Sequence, residues 1–135
     1  MAATTQVQIT WPTAANSSSI SSGSNDTSEA ATVTSGTIAA SLSLKADNDG
    51  TPASGDSVDF WILYTNGDPD AEADSADEYD DIGSARFLCR LDTNDADPKN
   101  LTVPILAAVK GFKIYAASNA ASNAITVSAQ ASLVG

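Results

Sequence analysis

Between Asp68 and Asp81, eight of fourteen residues are acidic and none is basic: Asp68, Asp70, Glu72, Asp74, Asp77, Glu78, Asp80 and Asp81. Carboxylates at that density can hold a hard cation, work in pairs on a glycosidic bond, or hydrate a surface. The first use has a spacing that can be checked. Asp68, Asp70, Glu72 and Asp74 alternate like the first ligands of a calcium loop, but Ala73 stands sixth where glycine is needed, and Tyr79 stands twelfth. Asp47-Asn48-Asp49-Gly50 brings its glycine too early and has Val58 at the twelfth position. Neither is an EF-hand. An irregular surface calcium site and a plain solvated acidic face both stay open. Glycoside hydrolysis needs two carboxylates at a set separation, whereas these cluster in one loop and not at strand ends around an aromatic cleft. Mutual repulsion and the cost of desolvation place the run on the surface, outside the core.

The rest of the inventory excludes more than it offers. The chain has no histidine, which removes Ser-His-Asp and Cys-His nucleophile systems, imidazole acid–base catalysis and most catalytic zinc sites. Cys89 is the only cysteine, so no intrachain disulfide, dithiol pair or structural zinc site can form. Its strand pattern with Phe87 and Leu91 reads as a small buried residue and not as a reactive thiol. No glycine-rich phosphate cradle is present. The expectation is a protein that is not an enzyme and has no cofactor, metal or catalytic residues to name. Seventeen acids against six bases give a net charge of −11, which disfavours direct contact with nucleic acid or an anionic membrane. The start lacks a basic and then apolar leader, and no apolar stretch approaches the roughly 20 residues of a membrane span. A protein made in a cytoplasm is expected. Asn-x-Ser/Thr triplets at Asn16, Asn25 and Asn100 then read as chance.

Period-two alternation dominates the elements that must carry these residues. Val7, Ile9 and Trp11 alternate with polar neighbours, as do Ile38, Ala40, Leu42 and Leu44. Phe87, Cys89 and Leu91 oppose Arg86 and Arg90. Phe112, Ile114 and Ala116 oppose Lys113 and Tyr115, and Ile125, Val127, Ala129 and Leu133 close the series. Leu101, Val103 and Ile105 form a further strand whose outward Pro104 marks an edge or a bulge. The predicted core includes Ile9, Trp11, Leu42, Leu44, Phe60, Ile62, Phe87, Leu91, Ile114, Ile125 and Val127.

One strand breaks the rule. In Val58–Thr65, Val58, Phe60, Ile62 and Tyr64 make one apolar face, while Trp61 and Leu63 lie on the other beside Asp59. A strand apolar on both faces is either central and covered, or offers its second face to a partner. Trp61 and Leu63 are therefore the candidate partner contact. Among the aromatics that could stack on a sugar (Trp11, Trp61, Tyr64, Tyr79 and Tyr115), Trp11 and Tyr64 are in phase with the core, and Trp61 is not.

Turn chemistry at Asp47–Pro52, Asn66–Pro69, Asp92–Asn100 and Asn119–Asn123 separates the strands. Residues 12–27, rich in Ser, Asn and Ala, read as a flexible loop or arm. The fold expected is all-β: one antiparallel β-sandwich domain over residues 1–135, jelly-roll-like, with seven or eight strands and almost no helix.

Residues 55–135 have a further texture. Gly55-Asp56-Ser57-Val58-Asp59-Phe60-Trp61-Ile62-Leu63-Tyr64 leads into Asn66-Gly67-Asp68-Pro69-Asp70. Asp77-Glu78-Tyr79-Asp80, Phe87-Leu88-Cys89-Arg90-Leu91, Lys110–Ala116 and Asn123–Ala129 follow. This resembles capsid decoration, or cement, proteins of tailed bacteriophages, of β-sandwich or jelly-roll type. The resemblance implies a non-enzymatic virion protein on the outer capsid surface that braces the major capsid protein, often as a homotrimer. The negative charge suits a position away from packaged DNA. The alternatives are a phage tail or fibre component, or a carbohydrate- or calcium-binding sandwich module.

Overall fold

The computed structural model describes residues 3–12, 14–66 and 82–135. Within them the chain forms ten strands: β1 (Thr4–Gln8), β2 (Ser18–Ile20), β3 (Asn25–Thr27), β4 (Ala31–Thr32), β5 (Ala39–Asn48), β6 (Ser57–Thr65), β7 (Arg86–Asp92), β8 (Lys99–Ile105), β9 (Gly111–Ser118) and β10 (Ile125–Val134). A single 3₁₀ turn at Ile82–Ser84 is the one helical element among the described residues. Two antiparallel sheets result. The first runs β1-β10-β5-β8, with β2 also on β10; the second runs β3-β9-β6-β7, with β4 also on β9. The all-β sandwich expected from the alternation is what forms.

The core lies between the sheets and follows the period of two. Leu42, Leu44 and Ala46 of β5 and Ile125, Val127, Ala129, Ala131 and Leu133 of β10 face Val58, Phe60 and Ile62 of β6 and Phe112, Ile114 and Ala116 of β9. Alanines in both layers leave room for Phe60 and Phe112, each about fully buried. Trp11, Tyr64 and Cys89 are also buried, as their phase required. Strand β8 is an edge, and Pro104 sits outward on it opposite Ser41. A proline there withholds an N–H and so blunts the edge against strand addition.

Four expectations need correcting. Phe87 is not in the core: its side chain is 58% exposed. Strand β7 pairs Phe60 with Cys89 and then Trp61 with Phe87, so Leu88 is an extra residue. This β-bulge inverts the phase, sending Phe87 to the outer face while Cys89 and Leu91 stay inside. Ile38 is also exposed, because the ladder with β10 ends one residue later at Ala39 and Val134. Residues 12–27 are not simply a loop or arm. They contain β2 and β3, hydrogen-bonded to β10 and β9, and they bury Ser18 and Ile20. One isoleucine anchors β2, and the Ser18 hydroxyl is satisfied by donating to Asp26 Oδ2 at 2.5 Å. The strand count is ten and not seven or eight because β2, β3 and β4 are only two or three residues long.

The bulge makes a quantitative prediction. Phe87→Ala should cost less than about 1.5 kcal/mol in urea unfolding, against about 3–5 for truncating a fully buried phenylalanine. Equal costs at Phe87 and Phe60 would contradict the outward placement.

Candidate functional site

The two outer faces of the sandwich differ in kind. On the first sheet, outward positions include hydroxyls and amides that bond one another: Ser43 with Thr102 at 2.9 Å, and Ser132 donating to Gln6 at 2.9 Å. A shallow dish of about 190 Å³ lies there among Gln8, Ser43, Lys45, Asn100, Ser128 and Gln130. Such a face is well hydrated and asks for no cover.

The second sheet carries a row of aromatic rings. Pairing sets Trp61 of β6 opposite Tyr115 of β9 on one side and Phe87 of β7 on the other, with Thr27 of β3 beyond Tyr115. The Trp61 ring centroid is 5.5 Å from that of Phe87 at an interplanar angle of 72°, and 5.6 Å from that of Tyr115 at 57°. These are edge-to-face and tilted contacts, which aromatic quadrupoles favour. Trp61 and Tyr115 are half-buried and Phe87 is exposed. The row crosses three strands of an otherwise covered or polar surface.

Beside the row is a polar brace. Two residues back along β6 from Trp61, Asp59 faces Arg90 of β7. Arg90 donates through Nε to Asp59 Oδ1 at 2.6 Å and through an Nη to Oδ2 at 2.9 Å. Asn119 Nδ2 donates to Asp59 Oδ2 at 3.1 Å and to Ser57 Oγ at 3.2 Å. The Asp59 side chain is almost covered, whereas that of Arg90 is 57% exposed. The Arg90 hydrogen bonds hold the Asp59 carboxyl below its ordinary range, with a smaller contribution from Asn119, and they outweigh the opposing effect of burial. The same bonds raise the Arg90 guanidinium.

Of the candidate contact residues, Trp61 is in the row. Leu63 lies on the same face but is covered within the chain at 3% exposure, so it offers nothing to a partner. The acidic residues Asp68, Asp70, Glu72, Asp74, Asp77, Glu78, Asp80 and Asp81 lie outside the described residues. Phe87, Tyr115, Asp59, Arg90 and Asn119 are the members that strand phase alone did not assemble. Tyr115 was visible as an outward aromatic and Asp59 as a charge in an apolar strand, but only the register joins them.

No group of three His, Cys, Asp or Glu side chains converges as a metal site among the described residues. A groove of about 480 Å³ opens between residues 32–37 and 107–110, lined by small and hydroxyl side chains with Lys110 as its titratable group. That lining contains no acid–base pair. No helix among the described residues is long and apolar enough to cross a membrane.

No protein-family model matches the chain, and no curated protein matches it in sequence. Solved structures do match in shape. A chain of infectious bursal disease virus, Gx strain, superposes with a TM-score of 0.58 at 9% identity, over 98% of this chain and 32% of that one. The Clostridium thermocellum N-terminal endo-1,4-beta-D-xylanase 10B, as CBM22-1-GH10 modules complexed with xylohexaose, superposes at 0.56 with 11% identity, over 99% of this chain and 24% of that one. This chain thus spans about a third of the first of these chains and a quarter of the second. At such identity the likeness shows the fold alone, a jelly-roll-like β-sandwich.

Proposed function

We propose that this chain is a non-enzymatic virion protein of a tailed bacteriophage that binds the outer capsid surface and stabilises it, with the major capsid protein as partner. The observation that carries the reading is the row Trp61–Phe87–Tyr115, a partly exposed aromatic surface on a compact sandwich. Trp and Tyr beside an arginine are the residue types that concentrate binding energy at protein interfaces. The charge of −11 suits a position outside the shell, away from DNA. A homotrimer at local threefold positions would brace several capsid subunits at once.

The test is to add the purified protein to capsids that lack it and map occupancy by cryo-electron microscopy. Ordered density on the outer surface is expected. Bare capsids at saturating protein, or density on tails alone, would overturn the reading.

A second reading, a carbohydrate-binding module, is favoured by the same rings, because sugars stack on aromatic faces. The tilts of 57° and 72° count against it, since they leave no flat shared platform. Titration with soluble oligosaccharides, followed by Trp fluorescence, separates the two.

A further inference from the structure

We infer that the free edge of β1 pairs with the same edge of a second copy of this chain, antiparallel about a two-fold axis at Gln6. The pairing goes beyond the capsid-binding reading and does not depend on it.

The register of β1 decides which way its backbone groups point. Ala3 and Gly135 exchange both hydrogen bonds, at 2.7 and 3.0 Å, and the Ile9 N–H donates to the Ala129 carbonyl at 3.1 Å. With the antiparallel pairs between them, the odd-numbered residues turn their N–H and C=O toward β10, and Thr4, Gln6 and Gln8 turn theirs away. Strand β10 is the one strand paired with β1 among the described residues. Thr4, Thr5, Gln6 and Gln8 are exposed, and Val7 is half-buried. The open stretch ends at Thr10, whose carbonyl takes the Glu29 N–H at 2.9 Å.

The other edges of the two sheets are blunted in ways that β1 is not. Strand β8 carries Pro104, which has no N–H, and the Leu106 N–H just beyond it donates to Tyr64 Oη at 3.1 Å. Strand β7 has its bulge, Arg86 and Arg90. Strands β2, β3 and β4 are two or three residues long. Strand β1 has five residues with no proline, bulge or charge. A regular edge without these defences is a template for another strand.

Charge and symmetry select the occupant. Asp26 is the first charged side chain in the sequence and Lys113 the last, so β1, β2 and β10 carry none. Two chains at −11 repel each other, and with a Debye length of about 8 Å the charges that matter are those near the contact. An uncharged edge is what identical acidic copies need, whereas a basic partner is better met by the carboxylates elsewhere. The open groups also complement themselves. About the two-fold axis, Thr4 meets Gln8 of the second copy and Gln6 meets Gln6, each pair exchanging two backbone hydrogen bonds, so every open group is used. Because β1 belongs to the first sheet and the aromatic row to the second, the pairing leaves the row free.

The test is sedimentation equilibrium of the purified wild type, Gln6→Pro, Gln6→Ala and Gln6→Glu, with circular dichroism and melting curves confirming that each is folded. The Gln6 N–H points away from β10, so proline there blunts the edge and spares the β1–β10 ladder. Wild type should show a reversible pairing step. Gln6→Pro should weaken it at least about tenfold by removing the central hydrogen bonds. Gln6→Ala keeps the N–H and should stay within about threefold of wild type. Gln6→Glu leaves the backbone alone but sets two carboxylates across the axis, and should weaken pairing in a way that salt partly restores. If wild type shows no pairing step, or if Gln6→Pro or Gln6→Glu pairs as wild type does, the inference is overturned. If Gln6→Ala loses as much as Gln6→Pro, the side chain carries the contact and strand pairing is wrong. If wild type stays single in solution but Gln6→Pro loses capsid occupancy, the edge takes a capsid strand and the second copy is the wrong occupant.

Discussion

Trp61→Ala combined with Phe87→Ala should abolish capsid decoration while leaving the sandwich folded. Truncating a central aromatic hot spot typically costs 2 kcal/mol or more of binding, so two neighbouring rings are expected to weaken occupancy by roughly a thousandfold. Stability should fall far less. Both rings already face outward, and the pair contributes roughly 2–3 kcal/mol to folding through partial burial and the edge-to-face contact. The far-ultraviolet circular dichroism spectrum should therefore remain that of a β protein. Sedimentation of the same variant answers a second question. If trimer gives way to monomer, the row is a contact between copies, and loss of decoration follows indirectly from lost avidity. If the sedimentation profile is unchanged and decoration is lost, the row meets the capsid itself. Wild-type occupancy in the double variant would remove the row from the interface altogether.

How far the sequence shows this surface depends on what kind of order each residue obeys. Period-two alternation is local, and it placed Leu42, Leu44, Phe60, Ile62, Ile114, Ile125 and Val127 correctly, because each sits in a long regular strand with one covered face. It also marked Trp61 as out of phase with its own strand's core. Phe87 escaped because a bulge depends on which residue of β6 each residue of β7 meets, and nothing within Arg86–Asp92 signals the extra Leu88. The strands within residues 12–27 escaped for a different reason. Strand β2 contributes a single large apolar side chain, Ile20, and it is held by backbone bonds to β10, a partner more than a hundred residues away. Composition registers apolar content, not a hydrogen-bonded edge strand. The brace of Asp59, Arg90 and Asn119 needs three elements in register, so its members were legible singly but not as a group.

At one end of the sandwich Asp56 plays a role that acid should reveal. Gly55 takes φ of 89°, a left-handed turn that glycine accepts readily, and Asp56 then points inward at 1% exposure. Its carboxylate accepts from Asn48 Nδ2 at 3.0 Å, the Ala53 N–H at 3.0 Å and the Ala121 N–H at 3.1 Å. Asn48 also donates to the Thr93 carbonyl at 3.1 Å, so one carboxylate ties together the connections after β5, β7 and β9. The two backbone donors, helped by Asn48, hold its carboxyl below the ordinary value of 3.8 despite burial. A depressed folded value means that its stabilisation is complete above the unfolded value and is lost as pH falls through the folded one. Asp56→Asn replaces one acceptor oxygen with an N–H₂ facing donors, so at pH 7 the melting temperature should drop by about 5–10 °C. As pH falls below the unfolded value of 3.8 and then through the lower folded one, the wild type loses this stabilisation, and the gap between the two proteins should narrow steadily. The rings of the aromatic row take no part in these bonds, so capsid binding at neutral pH should survive the change. A gap in melting temperature that stays constant from pH 7 down to about pH 2.5 would show that the Asp56 charge contributes nothing and that the loss is one of packing alone.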